Sequence, residues 1–349
     1  MKFTLSEGLL EATRLTQAGR LDEAAAALRQ LHGGGLPNAF QAPLLQVFQT
    51  PATRGFQAPA APLSSDVGRF LPANFTSKAG SRSYKLYVPS TYHGQPAPLI
   101  VMLHGCTQSP DDFAVGTRMN AAAEDHGCLV AYPAQTSSAN AQKCWNWFSE
   151  DDQHRDAGEP GLIAGITREI MREYAIDPRR VYVAGLSAGG AAAAIMGEAY
   201  PDLYAAIGVH SGLACGAARD VTSAFGAMQR GGGDARPGSR RHPPVPTIVF
   251  HGDRDNTVNS RNADGVVEQS GGGAVLETRV ESGEVPGGYA YDRIVYTDTS
   301  GRSVIERYVV HGAGHAWFGG SPAGSYTDVR GPDATREMLR FFLAHPRAA

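Results

Sequence analysis

The chain has 349 residues, 42% of them hydrophobic, with 31 Lys and Arg against 34 Asp and Glu, a net charge of −3 and four cysteines. That is enough apolar content for the core of one large α/β domain with additions, or for two domains. The charges are scattered, so no basic face suits a nucleic acid; no apolar run reaches the ~18 residues of a membrane span; and no Cys-x-x-Cys spacing suits zinc or an iron–sulfur cluster, so no metal is expected.

Residues 1–8 have neither a continuous apolar core nor a small-residue cleavage site. They do not read as a secretory signal, which by itself points to the cytoplasm. Residues 1–32 place Leu9, Leu10, Leu15, Leu21, Leu28 and Leu31 at helical spacing, with Gly19 interrupting. This predicts a helical N-terminal extension that packs on the main domain or on a second subunit, a route to self-association. Residues 33–74 are rich in Pro, Gly and Ala and read as a linker.

The main domain is expected over 75–349. Tyr84-Lys85-Leu86-Tyr87-Val88-Pro89 alternates and stops at proline, as a strand near a sheet edge does. Residues 99–104 are an unbroken apolar run bounded by Pro98 and Gly105, the pattern of a strand buried on both faces. A helix is expected over 111–126, a strand over 129–133, and a helix over 160–174, with Pro160 in its first turn. Further strands are expected over 205–210, 246–251 and 304–310, and a last helix over 332–344. Apolar strands alternating with helices predict an α/β fold, a mostly parallel sheet with helices on both faces. Two stretches, 215–246 and 271–299, break the alternation. They read as loops or insertions near the site, the second holding a hairpin-like Tyr291-Asp292-Arg293-Ile294-Val295-Tyr296 and the first a solvated arginine cluster at 236–241.

The chemistry centres on Gly185-Leu186-Ser187-Ala188-Gly189, which follows the β-branched run at 181–184 and precedes an Ala-rich helical stretch. Strand, sharp turn and helix are the context that a nucleophile elbow requires, with Ser187 at the apex. A serine hydroxyl needs a base to take its proton and an acid to hold that base, and in this order of elements the acid precedes the histidine. After strand 246–251 stand Asp253 and Asp255. Asp253 is close enough to the strand to cap its turn, and Asp255 is the favoured acid. After strand 304–310 stand His311 and His315. His311 suits packing at the strand end, and His315, on a glycine loop, is the favoured base. His104, His210 and His251 also end strands, and each alone suits a structural role. The oxyanion of a tetrahedral intermediate needs preorganised donors. These are assigned to the backbone N–H groups of Ala188 and of Cys106, in the loop after strand 99–104, with the Cys106 thiol itself not the nucleophile. Cys144-Trp145-Asn146-Trp147-Phe148 and Trp317 are read either as core aromatics or as substrate-binding walls, with Asn146 holding the loop. Asp156 and Glu159 read as loop and helix-start residues.

Taken together, Leu103-His104-Gly105-Cys106-Thr107-Gln108, the Trp145–Trp147 motif, Gly158-Glu159-Pro160-Gly161, the serine elbow, His210-Ser211-Gly212 and Gly314-His315-Ala316-Trp317 resemble the poly(3-hydroxybutyrate) depolymerase family of esterases. That family belongs with the feruloyl and acetylxylan esterases of carbohydrate esterase family 1. The resemblance spans roughly residues 75–345. It implies an α/β-hydrolase fold, a Ser187/Asp255/His315 triad and cofactor-free hydrolysis of an ester or polyester substrate. It also implies a disulfide near the site, for which Cys144 and Cys215, both on rim loops, are the expected pair; Cys106 and Cys128 are then buried single thiols. Family habit implies secretion, against the absence of a visible signal. Feruloyl or acetylxylan ester hydrolysis is the alternative activity, and a non-catalytic binding module the alternative class.

Overall fold

A computed structural model of the protein describes residues 68–231 and 244–348, which belong to one compact unit, Asp66–Ala349. The expected helical extension, the linker as far as residue 67 and the arginine cluster at 236–241 lie outside the described residues.

The chain first forms β1 (Arg69–Ser77) and β2 (Gly80–Val88), then β3 (Ala97–Leu103), α1 (Pro110–Thr117), α2 (Met119–His126) and β4 (Leu129–Pro133). It continues through α3 (Gly158–Glu173), β5 (Ile176–Leu186), α4 (Ala188–Ala199), β6 (Ala206–His210), α5 (Val221–Arg230), β7 (Thr247–Gly252) and α6 (Arg261–Gly271). Last come β8 (Glu277–Glu284), β9 (Ala290–Thr297), β10 (Ser303–Val310), β11 (Trp317–Phe318), β12 (Thr327–Asp328) and α7 (Ala334–Ala344). One ten-stranded sheet runs β1-β2-β4-β3-β5-β6-β7-β10-β9-β8. From β4 to β10 neighbouring strands are parallel; β1, β2, β9 and β8 add antiparallel margins.

The alternation of side chains along a strand divides the core into two layers. Leu99, Val101 and Leu103 of β3 join Val181 and Val183 of β5 on one face, under α3 and α4. Ile100 and Met102 join Tyr182, Ala184 and Leu186 on the other, against Phe113, Met119, Met338 and Phe342 of α1, α2 and α7. Every residue of β3 is buried, as its unbroken apolar run predicts.

Several elements differ from expectation for local reasons. Residues 69–74, grouped by composition with the linker, are the first two thirds of β1, whose pairing covers β2 and takes the edge position. The helix expected over 111–126 is two helices, because Arg118 takes φ 58°. The Thr117 hydroxyl donates to the Phe113 carbonyl (2.8 Å), and the Thr117 carbonyl accepts from Thr335, so local side-chain bonds displace the helical ladder. The stretch 215–246 holds α5, whose start is a capping box between Asp220 and Ser223. The stretch 271–299 is the β8–β9 hairpin, which lengthens the sheet beyond β10.

Candidate active site

The five loops that matter leave the C-terminal ends of the parallel strands β3, β5, β6, β7 and β10, so the topology alone brings them to one rim. Between β5 and α4 the chain turns at Ser187, whose φ of 58° and ψ of −119° lie outside the wells open to ordinary L-residues. Such a conformation costs ~1–3 kcal/mol and persists only where the surroundings over-determine it. Here Ser187 N–H donates to the His210 carbonyl (2.9 Å), and the Ser187 carbonyl accepts from Ala191 (2.9 Å). A Cβ on Gly189 would stand 2.0 Å from the Leu103 carbonyl oxygen, so only glycine lets α4 pass this close to the end of β3. Ala188 is the first residue of α4, where a backbone N–H has no acceptor within the helix.

Asp255 is reached through a turn in which its N–H donates to Gly252 (3.2 Å). Its side chain is fully buried. One carboxylate oxygen accepts from the N–H groups of Thr257 (2.9 Å) and Val258 (2.8 Å). The other accepts from His315 Nδ1 at 2.7 Å and lies 3.3 Å from His251 Nε2. Burial on its own would raise the Asp255 carboxyl, but the hydrogen bonds from His251 and His315 outweigh it and hold the group below the ordinary carboxylate range. With Nδ1–H committed to a carboxylate, the neutral His315 ring keeps Nε2 as its acceptor. A Cβ on Gly252 would fall 2.3 Å from the Ala313 carbonyl oxygen, so that glycine lets the loops carrying Asp255 and His315 touch. Asp253 does what its position suggests: it accepts from Gly312 N–H (2.7 Å) and His311 Nδ1 (3.0 Å), tying the same two loops together. His311 also meets Asp292 (3.1 Å) and is thereby engaged away from Ser187's loop.

The loop after β3 lies beside the serine: a Cβ on Gly105 would stand 3.7 Å from the Ser187 Cβ. Buried His104 sets its direction, with Nδ1 donating to the Gly105 carbonyl (2.7 Å) and Nε2 accepting from Gln135 N–H (3.0 Å). Burial pushes the His104 imidazolium down to about 4, so the ring is neutral near pH 7. Gln108, which carried no assigned role, is buried at the centre of a second network: it accepts from Gly105 N–H (2.8 Å) and donates to Asp112 (2.9 Å) and the Ser325 carbonyl (3.2 Å).

Three expectations need correction. Cys144 pairs with Cys106, their Cα atoms 4.2 Å apart, and Cys215 is a free thiol. Cys215 sits after β6 with its backbone held by Gln269, whereas the loops after β3 and β4 are already joined by Thr107 N–H to Gln142 (2.6 Å) and by Trp145 Nε1 to the His104 carbonyl (3.1 Å). Cys106 is therefore no buried single thiol, while Cys128 is one, its thiol pushed up to about 12 by burial. Trp145, Trp147 and Trp317 are 1%, 6% and 0% exposed and cannot form a substrate wall. They are core: Trp317 packs on Phe113 and His210 and donates to Thr335 (3.0 Å). Asn146 is likewise structural, spending its N–H (2.7 Å) and Nδ2 (2.8 Å) on Glu159. Glu159 at the start of α3 is a buried carboxyl beneath that loop, raised to about 7 by burial and by nearby Asp152.

The disulfide closes a 38-residue separation between two site loops. Loop-closure entropy for that length is ~4 kcal/mol. Cys144→Ser is expected to lower the unfolding free energy by about that amount in denaturant melts, and dithiothreitol is expected to do the same to the wild type. Alkylation of Cys144 in unreduced protein would contradict the pairing.

The family model described as "Esterase PHB depolymerase" matches residues 82–272. Poly(3-hydroxyalkanoate) depolymerase C of Paucimonas lemoignei is 34% identical over 255 residues, 70% of this chain; the chain spans only 60% of that relative's length. Feruloyl esterase B of Neurospora crassa is 31% identical over 274 residues, 73% of this chain and 86% of that protein. Among solved structures, an acetyl xylan esterase from Aspergillus awamori superposes with a TM-score of 0.60 at 20% identity, over 75% of this chain and 94% of that one. That likeness is one of fold, and with the sheet order it gives the α/β-hydrolase fold.

Proposed function

Since the chain belongs to the esterase PHB depolymerase family, we propose that it is a serine hydrolase of carboxylic esters, cleaving short-chain polyhydroxyalkanoates such as poly- or oligo-3-hydroxybutyrate. The observation that carries this reading is the hydrogen bond of His315 to buried Asp255 at 2.7 Å, on the same rim as the Ser187 elbow. His315 Nε2 takes the Ser187 hydroxyl proton as the serine oxygen bonds to the ester carbonyl carbon. Asp255 holds the ring in that tautomer and stabilises the imidazolium. The N–H groups of Cys106 and Ala188 receive the oxyanion. Collapse breaks the carbon–oxygen bond to the alcohol, which leaves with the proton from His315. Water, deprotonated by the same nitrogen, then attacks the acyl-serine and releases the acid. A disulfide between two site loops also suits work in an oxidising compartment.

The second reading, a feruloyl or acetylxylan esterase, draws on the feruloyl esterase B that matches over 86% of its length. A substrate panel separates the two. Hydroxybutyrate oligomers and polymer film are expected to give the highest kcat/KM, methyl ferulate and acetylated xylan lower values. The reverse order would favour the alternative, and inertness toward all of them would overturn ester hydrolysis.

A further inference from the structure

With the three tryptophans buried, the aromatic that the rim presents to an ester is a different one. Among the described residues, Phe225 and Tyr326 are the large aromatics that are more than a third exposed. Phe225 lies on α5; Tyr326, 37% exposed, is tied to the loop beside the serine. Its phenol oxygen lies 3.1 Å from Thr107 Oγ1, and Thr107 follows Cys106. Thr107 Oγ1 also donates to the Cys106 carbonyl (2.6 Å).

The backbone accounts for how the ring comes to be there. Tyr326 and Thr107 have φ of 52° and 67°, both in the left-handed region that favours glycine. Their neighbours hold them in it. Tyr326 C=O accepts from Trp317 N–H (2.7 Å), Ser325 N–H donates to Asp112 (2.9 Å), and Thr107 N–H donates to Gln142 (2.6 Å). A side chain that is more than a third exposed contributes little to the core, yet two residues in an unfavourable conformation are retained to aim it at the Cys106 loop. Strained backbone that its surroundings over-determine clusters at active sites and ligand clamps.

On the basis of the proposed esterase activity, we infer that Tyr326 is a specificity-determining residue: its ring, anchored on Thr107, packs against the part of the ester that extends past the Cys106 N–H. The ligand chemistry is an apolar acyl or hydroxyacyl chain, which an amphipathic ring can cover with its face while its hydroxyl stays on Thr107.

The test is a ratio within each protein: kcat/KM for a long ester over kcat/KM for p-nitrophenyl acetate. The long ester is 3-hydroxybutyrate trimer or methyl ferulate, whichever the wild type turns over faster. Tyr326→Ala and Tyr326→Leu are each expected to lower this ratio about tenfold, chiefly through KM for the long ester. Tyr326→Phe, which keeps the ring, is expected to hold the ratio within threefold. The leucine variant keeps apolar bulk and serves if the alanine variant does not fold. An unchanged ratio in the variants, with Ser187-dependent hydrolysis intact in the wild type, overturns the role of Tyr326 and leaves the esterase reading standing. Equal losses on both substrates also overturn it, since the ring would then only support the Cys106 loop. A wild type that hydrolyses no ester overturns both.

Discussion

Ser187→Ala is expected to lower kcat on p-nitrophenyl butyrate by roughly four to six orders of magnitude, the range found when a serine nucleophile acting with its base is removed. The substitution deletes one oxygen and nothing that the fold uses. No side-chain cap bond to α4 comes from Ser187, and alanine occupies the same φ of 58° with the same backbone bonds to His210 and Ala191. The thermal midpoint is therefore expected to stay within about 2 °C of wild type, because surface-like truncations without lost partners fall within ~0.5 kcal/mol. KM is expected to change little, since the binding surface is intact. Activity that persists in the variant would move the nucleophile to another residue.

Asp255→Asn is expected to cost about three to four orders of magnitude in kcat, with KM nearly unchanged. The carboxylate accepts from two backbone N–H groups through one oxygen and meets His315 and His251 through the other. An amide has one acceptor oxygen. If that oxygen keeps the Thr257 and Val258 bonds, the NH2 faces His315, and the ring must accept at Nδ1 and carry its proton on Nε2, the wrong tautomer for a base. The same group shapes the acid limb of stability. Its folded carboxyl binds protons less readily than the unfolded one, whose reference value is about 3.9. Its stabilisation is thus complete above that value and is lost as the pH falls through the folded value. Melts of Asp255→Asn across pH 3 to 7 are expected to be less stable than wild type at pH 7, with a difference that narrows toward pH 3. A difference that widened in acid would contradict the assignment.

The parts of this molecule that were readable in sequence are those with local causes. The Gly-x-Ser-x-Gly turn sits between an apolar strand and an Ala-rich helix, and each element carries its own signal. Asp255 follows the apolar run of β7 and His315 follows β10, where β-branched and aromatic residues flank Glu306 and Arg307, and parallel topology then delivers both loops to the serine's edge. What could not be read depends on which loops meet. Cys106 looks like a strand-end residue, and only the folded approach of the loops after β3 and β4 makes Cys144 its partner rather than Cys215. Trp145, Trp147 and Trp317 could be wall or core on residue type alone, since an indole serves either; burial by Phe113, His210 and the β3 loop decides for core. Glu159 seemed an ordinary helix-start acid because its partners, Asn146 and Gln135, come from a loop that composition does not place. Tyr326 gave no signal, since a tyrosine in Gly324-Ser325-Tyr326-Thr327 belongs to no motif and its backbone conformation is invisible in sequence.

The acyl-enzyme at Ser187 is most directly tested by covalent capture. Unreduced wild-type protein is treated with a p-nitrophenyl alkylphosphonate and analysed by intact mass and by tryptic mapping of the peptide 181–219. The expected result is one phosphonyl group per chain, on Ser187, forming in step with the loss of esterase activity and absent from Ser187→Ala. A stoichiometric adduct on another residue, or esterase activity that survives full modification of Ser187, would contradict it.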